Sequence, residues 1–487
     1  MADIKRRLEH ALERLRYEYD ERLEEIDRYY RGKMASPYMP TSANAEYKLL
    51  AERAIHNWLP WVVAAPLQNL QVDGFRPSEG NGKGKEVWDT WQTNRMDARQ
   101  GVVHEGALVY GHAYVAVLPG PDGPKIAPMS ALRAWAAYDD PVCDEFPLYA
   151  VQIFQHPDTG TLERARYFDD RHVVEITYKA STGPFGESYT TPMISGRKAH
   201  GFGVTPVVRF SPNMDALGRS VGLVQPLIPV CDRINQTWFD LLIAQTYGSF
   251  KVRYVTGMAP PLDVDPATGE VRTDPATGEP LYKAIEFSPD RAMMAEDPDT
   301  KFGELSETSL DGFHKSLELN VQHMAAVSQT PPHYLLGNMA NLSADALAAA
   351  ESALTRKVDA LKQTFGESWE TVLRLCAHAL GKTKLSKDRK AQVVWRDTGS
   401  RSLAQTADAF GKLVQMVSVP PEALWDKLPG FSQTDVDKFH EFKDKADEQA
   451  AKIAAGQANA PTHDVTGGDQ PPTPQQQAQQ APPGDAK

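Results

Sequence analysis

The sequence predicts an α+β chain: a mixed helix and strand region first, then long helices with apolar stripes. Three observations carry that expectation. Helical segments at 224–250 and 307–329 bracket an insert rich in Pro and Gly. Short runs of strand-forming residues, parted by polar and Gly turns, precede them. A third and longer helical stripe follows the proline pair Pro331-Pro332.

The N-terminal region reads as follows. Residues 3–30 form an amphipathic helix with Ile4, Leu8, Leu12, Leu15, Tyr19, Leu23 and Ile26 on one side. Residues 44–70 carry a second apolar segment, punctuated by Pro60 and Pro66. Ser78–Lys85 is a loop, and a helix near 86–108 runs into a strand at Tyr114–Leu118, turned by Pro121-Asp122-Gly123. Further strands are expected at 148–154, 164–168, 173–178 and 207–210.

The first of the paired helices has Val224, Leu227, Ile228, Cys231, Ile234, Trp238, Leu241, Leu242 and Ala244 at mostly three- and four-residue steps. The second has Leu310, Phe313, Leu317, Val321, Met324 and Val327. Pro226 and Pro229 are tolerated only in or before a first turn, so the first helix can start as late as Pro229. Between the pair, the hexapeptide Asp-Pro-Ala-Thr-Gly-Glu occurs at 265–270 and again at 274–279, which predicts short strands and hairpins. Thr330-Pro331-Pro332 ends the second helix because proline lacks an amide hydrogen and clashes with the turn before it. Ser343 caps a helix to about Leu380, with the stripe Leu347, Leu354, Val358, Leu361, Phe365, Trp369, Val372, Cys376 and Leu380. At 1.5 Å per residue it is roughly 55 Å long, with Gly366 as the place to bend. Residues 400–455 hold two or three more helices. From Gly456 onward Pro, Gln, Ala and Gly dominate, which predicts a disordered tail.

A chain of 487 residues allows about three domains. Its net charge of −12 argues against a protein that grips nucleic acid, though not against one that lets nucleic acid pass. Three separated cysteines (Cys143, Cys231, Cys376) predict neither disulfides nor a zinc site, and fit a reducing compartment. The charged N-terminus does not read as a signal peptide, and no stretch has the length and apolarity to span a bilayer.

Chemistry-bearing motifs are sparse. Gly218-Arg219-Ser220-Val221-Gly222 matches G-x-S-x-G, with Ser220 as the nucleophile of a serine hydrolase. That elbow needs a strand running directly into the serine, whereas the nearest strand candidate ends at Phe210. Gly381-Lys382-Thr383 echoes a P-loop, but Cys376 stands where its first glycine belongs. His104, Glu105 and His112 lack a metal-ligand spacing, and the repeated hexapeptide lacks the oxygen ligands of a calcium loop. No catalytic residue, cofactor or metal is expected. Lys382, Lys384, Lys387, Arg389, Lys390, Arg396 and Arg401 form the clearest basic cluster, diluted by Asp388 and Asp397 into a solvated face. Between Pro331 and Ala350 there is no Lys or Arg, only His333. A loop facing DNA would there avoid phosphate pairing and keep friction low.

Eight short motifs stand in order along the chain: Tyr29–Gly32, Val72–Phe75, Ala107–Tyr114, Thr205–Phe210, Asp232–Gln236, Gln329–Pro332, Asn341–Leu347 and Phe365–Glu370. With the order of elements, over about 25–380, they resemble the portal proteins of tailed bacteriophages, in particular siphophage portals of Gram-positive and actinobacterial hosts. The resemblance implies a ring homo-oligomer, usually dodecameric, at one capsid vertex of the virion, assembled in the host cytoplasm. It implies a wing at 1–221, stem helices at 222–250 and 305–330, a clip at 251–304 and a tunnel loop at 331–343. The long bent helix and the return to the wing would occupy 344–399, the helical crown 400–455 and the tail 456–487. The implied partners are double-stranded DNA in the channel, the terminase large subunit, a head-tail adaptor, and the major capsid and scaffolding proteins. ATP chemistry would belong to the terminase. His333, Tyr334, Asn338 and Asn341 would line the tunnel loop, and Asp232, Asn235, Gln236 and Asp240 the lumen face of the stem. A scaffold or minor head protein, and a hydrolase using Ser220, are the competing expectations.

Overall fold

The computed structural model describes residues 2–42, 44–78, 84–155, 162–182, 188–248, 253–257, 262–282, 299–304, 309–337, 344–396, 403–425 and 433–458. The chain divides into two compact units, Met1–Arg401 and Ser402–Lys487.

The first unit is α+β and layered. Helix α1 (Ala2–Glu18), a π turn (Tyr19–Leu23) and α2 (Glu24–Tyr30) form one continuous helical run. The π turn admits an extra residue, which rotates the stripe, so Tyr19 is exposed while Leu15, Leu23 and Ile26 are buried. Next come α3 (Ala45–Arg53), capped by the Asn44 side chain, and α4 (Leu59–Leu67), with Pro60 harmlessly in its first turn. Strand β1 (Val72–Arg76) leads to α5 (Lys85–Thr93) and α6 (Met96–Tyr110). One helix was expected over 86–108; two are found. Buried Asn94 donates to the carbonyls of Thr90 and Pro124 and accepts from the Ile126 amide, drawing the chain out of helix, and Arg95 takes a φ of 53°.

Strands β2 (Ala113–Gly120), β3 (Gly123–Ser130) and β9 (Val207–Phe210) form an antiparallel sheet in the order β3-β2-β9. Strands β4 (Ala134–Ala137), β5 (Tyr149–Gln155), β6 (Leu162–Phe168), β7 (His172–Thr182) and β8 (Ser188–Ala199) form an antiparallel sheet in sequence order. Leu8 and Ala11 of α1 cover one face of the larger sheet, against Tyr149, Val151, Tyr167 and Ile176. Its other face, through Ala136, Ala150 and Phe168, meets Tyr114, Ala116, Met129 and Val207 of the smaller sheet. Ala113, Val115, Val117 and Phe210 point the opposite way, into the main core shared with the helices. Strand β2 is therefore buried on both faces, and alternation of side-chain direction divides its residues between two cores.

After a 3-10 turn (Gln225–Leu227) comes α7 (Ile228–Gly248), and then the antiparallel pair β10 (Arg253–Thr256) and β11 (Lys301–Glu304) reverses the chain into α8 (Asp311–Ser328). Helix α9 (Pro332–Leu336) precedes α10 (Ala344–Ala379), which runs unbroken through Gly366. Of the expected stripe of α10, Leu354, Val358, Leu361, Phe365, Trp369, Val372 and Cys376 are buried and Leu380 is half-buried just past its end; Ser343, expected as the cap, and the Leu347 side chain lie outside what is described. Helix α11 (Thr383–Ser386) and β12 (Gln392–Trp395) follow, and β12 pairs antiparallel with β1. His104 is wholly buried where these elements meet. Its Nδ1 donates to the Leu70 carbonyl at 3.1 Å, and its Nε2 accepts from the Trp369 indole at 2.8 Å. Burial lowers its pKa to about 3, so the imidazole is neutral and its tautomer is set by these partners.

The insert at 262–282 is not a pair of independent hairpins. The amide of Asp263 donates to Leu281, that of Leu281 to Arg272 and that of Arg272 back to Asp263, each at 2.8 Å. Three strand-like edges thus close on one another, and the two hexapeptides form the turns, with Asp265 and Asp274 each accepting from an amide two residues on.

In the second unit, α12 (Leu403–Val417) is followed by α13 (Glu422–Trp425) and α14 (Gln433–Ala458). Trp425 packs on Phe439 and His440, and Lys443 pairs with Glu422. The tail expected from Gly456 begins inside α14; residues 459–487 lie outside those described.

Candidate functional site

The paired helices meet through Cys231, Ile234 and Leu241 on α7 and Leu317, Val321, Met324 and Ala325 on α8, all in the main core. Asn320 donates to the Thr237 hydroxyl across the pair at 3.3 Å. Val327, expected in the buried stripe, is 55% exposed, because Ala325 and Ser328 take the inward positions of the last turn. On its other side α7 is held by the N-terminal region: Phe239 packs among Leu50, Ala51 and Ala54, and Trp238 stacks on His56 with centroids 4.5 Å apart.

Most of the residues assigned to the lumen face of the stem are engaged in that second contact. Asp232 accepts from the Tyr29 hydroxyl at 2.8 Å; burial and this carboxylate push the Tyr29 phenol up to about 12. Asn235 is only 1% exposed, accepts from the His56 amide at 3.0 Å and donates to Met34 sulfur at 3.2 Å. It is therefore a buried strut and not a lumen residue. Gln236 accepts from the Tyr38 amide at 2.7 Å and donates to Asp240 at 3.0 Å. The polar residues between the apolar ones mark a second face of α7, and within this chain that face meets Tyr29 and the 34–56 segment. The exposed side of α8 carries Asp311, His314 and Lys315 in its first turns, and Glu318, Leu319, Gln322, His323, Ala326 and Val327 beyond them.

The segment after α8 is partly anchored. The His333 side chain is 6% exposed and lies 4.0 Å from Glu351 of α10, while Tyr334 donates to the same carboxylate at 3.5 Å and is 49% exposed. His333 is thus packed inward, against the expectation that it lines a loop surface. Asn338 and Asn341 lie outside the described residues. Lys357 of α10, which sequence reasoning missed, donates to the Ser328 carbonyl at 2.7 Å. Its only signal was its place next to Val358, at the edge of the apolar stripe. The cation-free stretch is longer than the loop, running from Ser316 to Thr355.

Ser220 sits in the loop between β9 and the 3-10 turn, not after a strand. Its hydroxyl donates to the Gly111 carbonyl and accepts from Ser211 at 2.6 Å, and Arg22 donates to its carbonyl at 2.8 Å. The flanking glycines serve close packing. A Cβ on Gly222 would lie 2.3 Å from the Val109 carbonyl oxygen, and one on Gly218 would lie 2.5 Å from Pro141. The G-x-S-x-G match is a packing knot at the end of α6. In the basic cluster, Lys382 pairs with Glu86, Arg389 with Glu145 and Arg396 with Asp73, so much of it is balanced locally. Among the described residues no group of acidic, His or Cys side chains is arranged to hold a metal ion, and no helix is long and apolar enough to cross a membrane.

The layered α+β body thus carries a reversing helix pair, a small β insert and a long buried-stripe helix, and the polar groups described above serve packing. The family model described as phage portal protein, SPP1 Gp6-like, matches residues 12–457, and the chain belongs to that family. It is 25% identical over 356 residues to the portal protein of Mycobacterium phage D29, covering 70% of this chain and 69% of that one. The portal protein of Mycobacterium phage L5 is also 25% identical, with 70% and 68% covered. Among solved structures, the neck of an empty gene transfer agent (GTA) particle is 12% identical with a TM-score of 0.38, covering 76% of this chain and 90% of that one. A chain of the native GTA virion has 12% identity and a TM-score of 0.37, with 83% and 98% covered. Likenesses this slight do not bear on function.

Proposed function

We propose that this chain, as a structural and non-enzymatic virion component, assembles into a dodecameric ring at one capsid vertex and conducts DNA during packaging and ejection. Residues 1–221 act as the wing, α7 and α8 as the channel stem, 251–304 as the clip, 331–343 as the loop nearest DNA and 400–455 as the crown. The ring docks the terminase large subunit during packaging in the host cytoplasm, and later a head-tail adaptor. The major capsid and scaffolding proteins surround it.

The observation that carries this reading is the charge of the exposed face of α8. Lys315 is the one exposed cation of α8; from Ser316 through Thr355 no Lys or Arg occurs, and the exposed residues of α8 over that span are neutral or acidic apart from His323. Each cation paired with a phosphate adds salt-dependent affinity, so a wall without them lets a duplex slide. Sedimentation and electron-microscope class averages of the purified full-length chain test the assembly. Rings with a central hole, many times the 53.8 kDa chain mass, are expected. A strictly monomeric species at high concentration and moderate salt would remove the proposal. Asn338→Lys or Asn341→Lys should slow packaging, and wild-type packaging rates in both would refute the low-friction account.

A further inference from the structure

Helix α8 ends in an unusual way. Thr330 donates to the Ala325 carbonyl at 3.0 Å and Gln329 to that of Ala326 at 3.3 Å, which closes a Schellman turn. The left-handed position of that turn, normally glycine, is Gln329 with a φ of 55°. Ser328 at the end of α8, Thr330 in the turn and Leu335 in the five-residue helix α9 are all buried. The Thr330 hydroxyl has no hydrogen-bond partner among the described residues. The Ser328 carbonyl, left over by the turn, receives the Lys357 amine at 2.7 Å.

Burial lowers the Lys357 amine to about 8, and among the described residues no carboxylate pairs with it. A cation suits the negative end of a helix, but desolvating one without a counter-charge is unfavourable. Packing alone does not call for an ammonium here, since Met would occupy similar space beside the apolar stripe. Neighbouring Arg356, by contrast, is exposed and bonds back to Ser352 within α10. Among the described residues, the other polar ties between this segment and α10 are the looser contacts of His333 and Tyr334 with Glu351, at 4.0 and 3.5 Å.

We propose that Lys357 is a positioning residue whose amine fixes the root of segment 329–337 to α10, so that this root follows the long helix. The bearing of that anchor on DNA passage rests on the channel reading above; the anchor itself does not. Hydrogen–deuterium exchange on the full-length protein, wild type against Lys357→Met, tests it. Amides of 326–337 should exchange at least tenfold faster in the variant, with amides of 353–365 unchanged and the melting temperature not lowered. Unchanged exchange at 326–337 overturns the proposal. So does parallel acceleration of both segments with a lower melting temperature, which would make Lys357 a general packing residue. Should Lys357→Met fail to fold, Lys357→Gln, polar but too short to reach, is read in the same way. Absence of wild-type rings would sink the channel reading and leave this result standing.

Discussion

Two joints of this chain join a helix end to a loop, and they are built on opposite principles. At the end of α6, Gly111, Ser220 and Gly222 bring backbones into direct contact, and the serine hydroxyl is bonded on both sides. At the end of α8, the left-handed position is a glutamine, the buried Thr330 hydroxyl has no partner among the described residues, and Lys357 bonds the Ser328 carbonyl. A joint closed by glycine backbones has one geometry, because no side chain can rotate to accept another. A joint closed by one side chain carries local cost and depends on that side chain keeping its place. The first lies inside the layered body and the second at the root of segment 329–337.

The largest effect is expected from Gly222→Ala. A methyl 2.3 Å from the Val109 oxygen must move backbone, and a loss of at least about 3 kcal/mol in denaturant unfolding is expected. A loss under about 1 kcal/mol would show the first joint to be as pliable as the second. Acid comes next. Burial lowers His112, beside Gly111, to about 4 and His104 to about 3, from ordinary values of 6.5. Both are neutral in the fold, while the unfolded chain takes up protons below 6.5, so their full stability is present above that pH. It should fall with pH down toward 4 and 3 by at most about 1.4 kcal/mol per pH unit for each histidine. Unfolding midpoints at several pH values between these limits check this, and a flat profile contradicts the burial of both rings.

Ser220→Ala removes one hydroxyl from the knot and should cost about 1–2 kcal/mol of stability. It also discriminates function: a measurable esterase or protease activity that this change abolished would revive the hydrolase alternative. The smallest effect is Gln329→Gly, which relieves the left-handed strain and should raise stability by up to about 1 kcal/mol. A destabilised Gln329→Gly would mean that the glutamine side chain holds the turn, against the contrast drawn here.

Much of this architecture is legible in local pattern. The stripe of α10, a start of α7 as late as Pro229 and the proline stop after α8 follow from helical periodicity and the missing amide of proline; α7 begins at Ile228, with Pro229 in its first turn. Misreadings arise where distant segments intervene. Asn94 splits α5 from α6 because it bonds to β3, about thirty residues on. Asn235 looked like a solvent-facing polar residue and is a strut because His56 and Met34 reach it. The hexapeptide repeat predicted its turns, but not that three edges would close in a ring of amides.

Periodicity, proline and charge already decide that long helices form, where they stop and that one stretch carries no cations, because these depend on neighbours along the chain. Which polar residues are buried, which glycines are indispensable and which lysine turns inward depend on groups from elsewhere in the sequence. A pattern of three or four residues carries no record of such partners, and only their packing in space decides them.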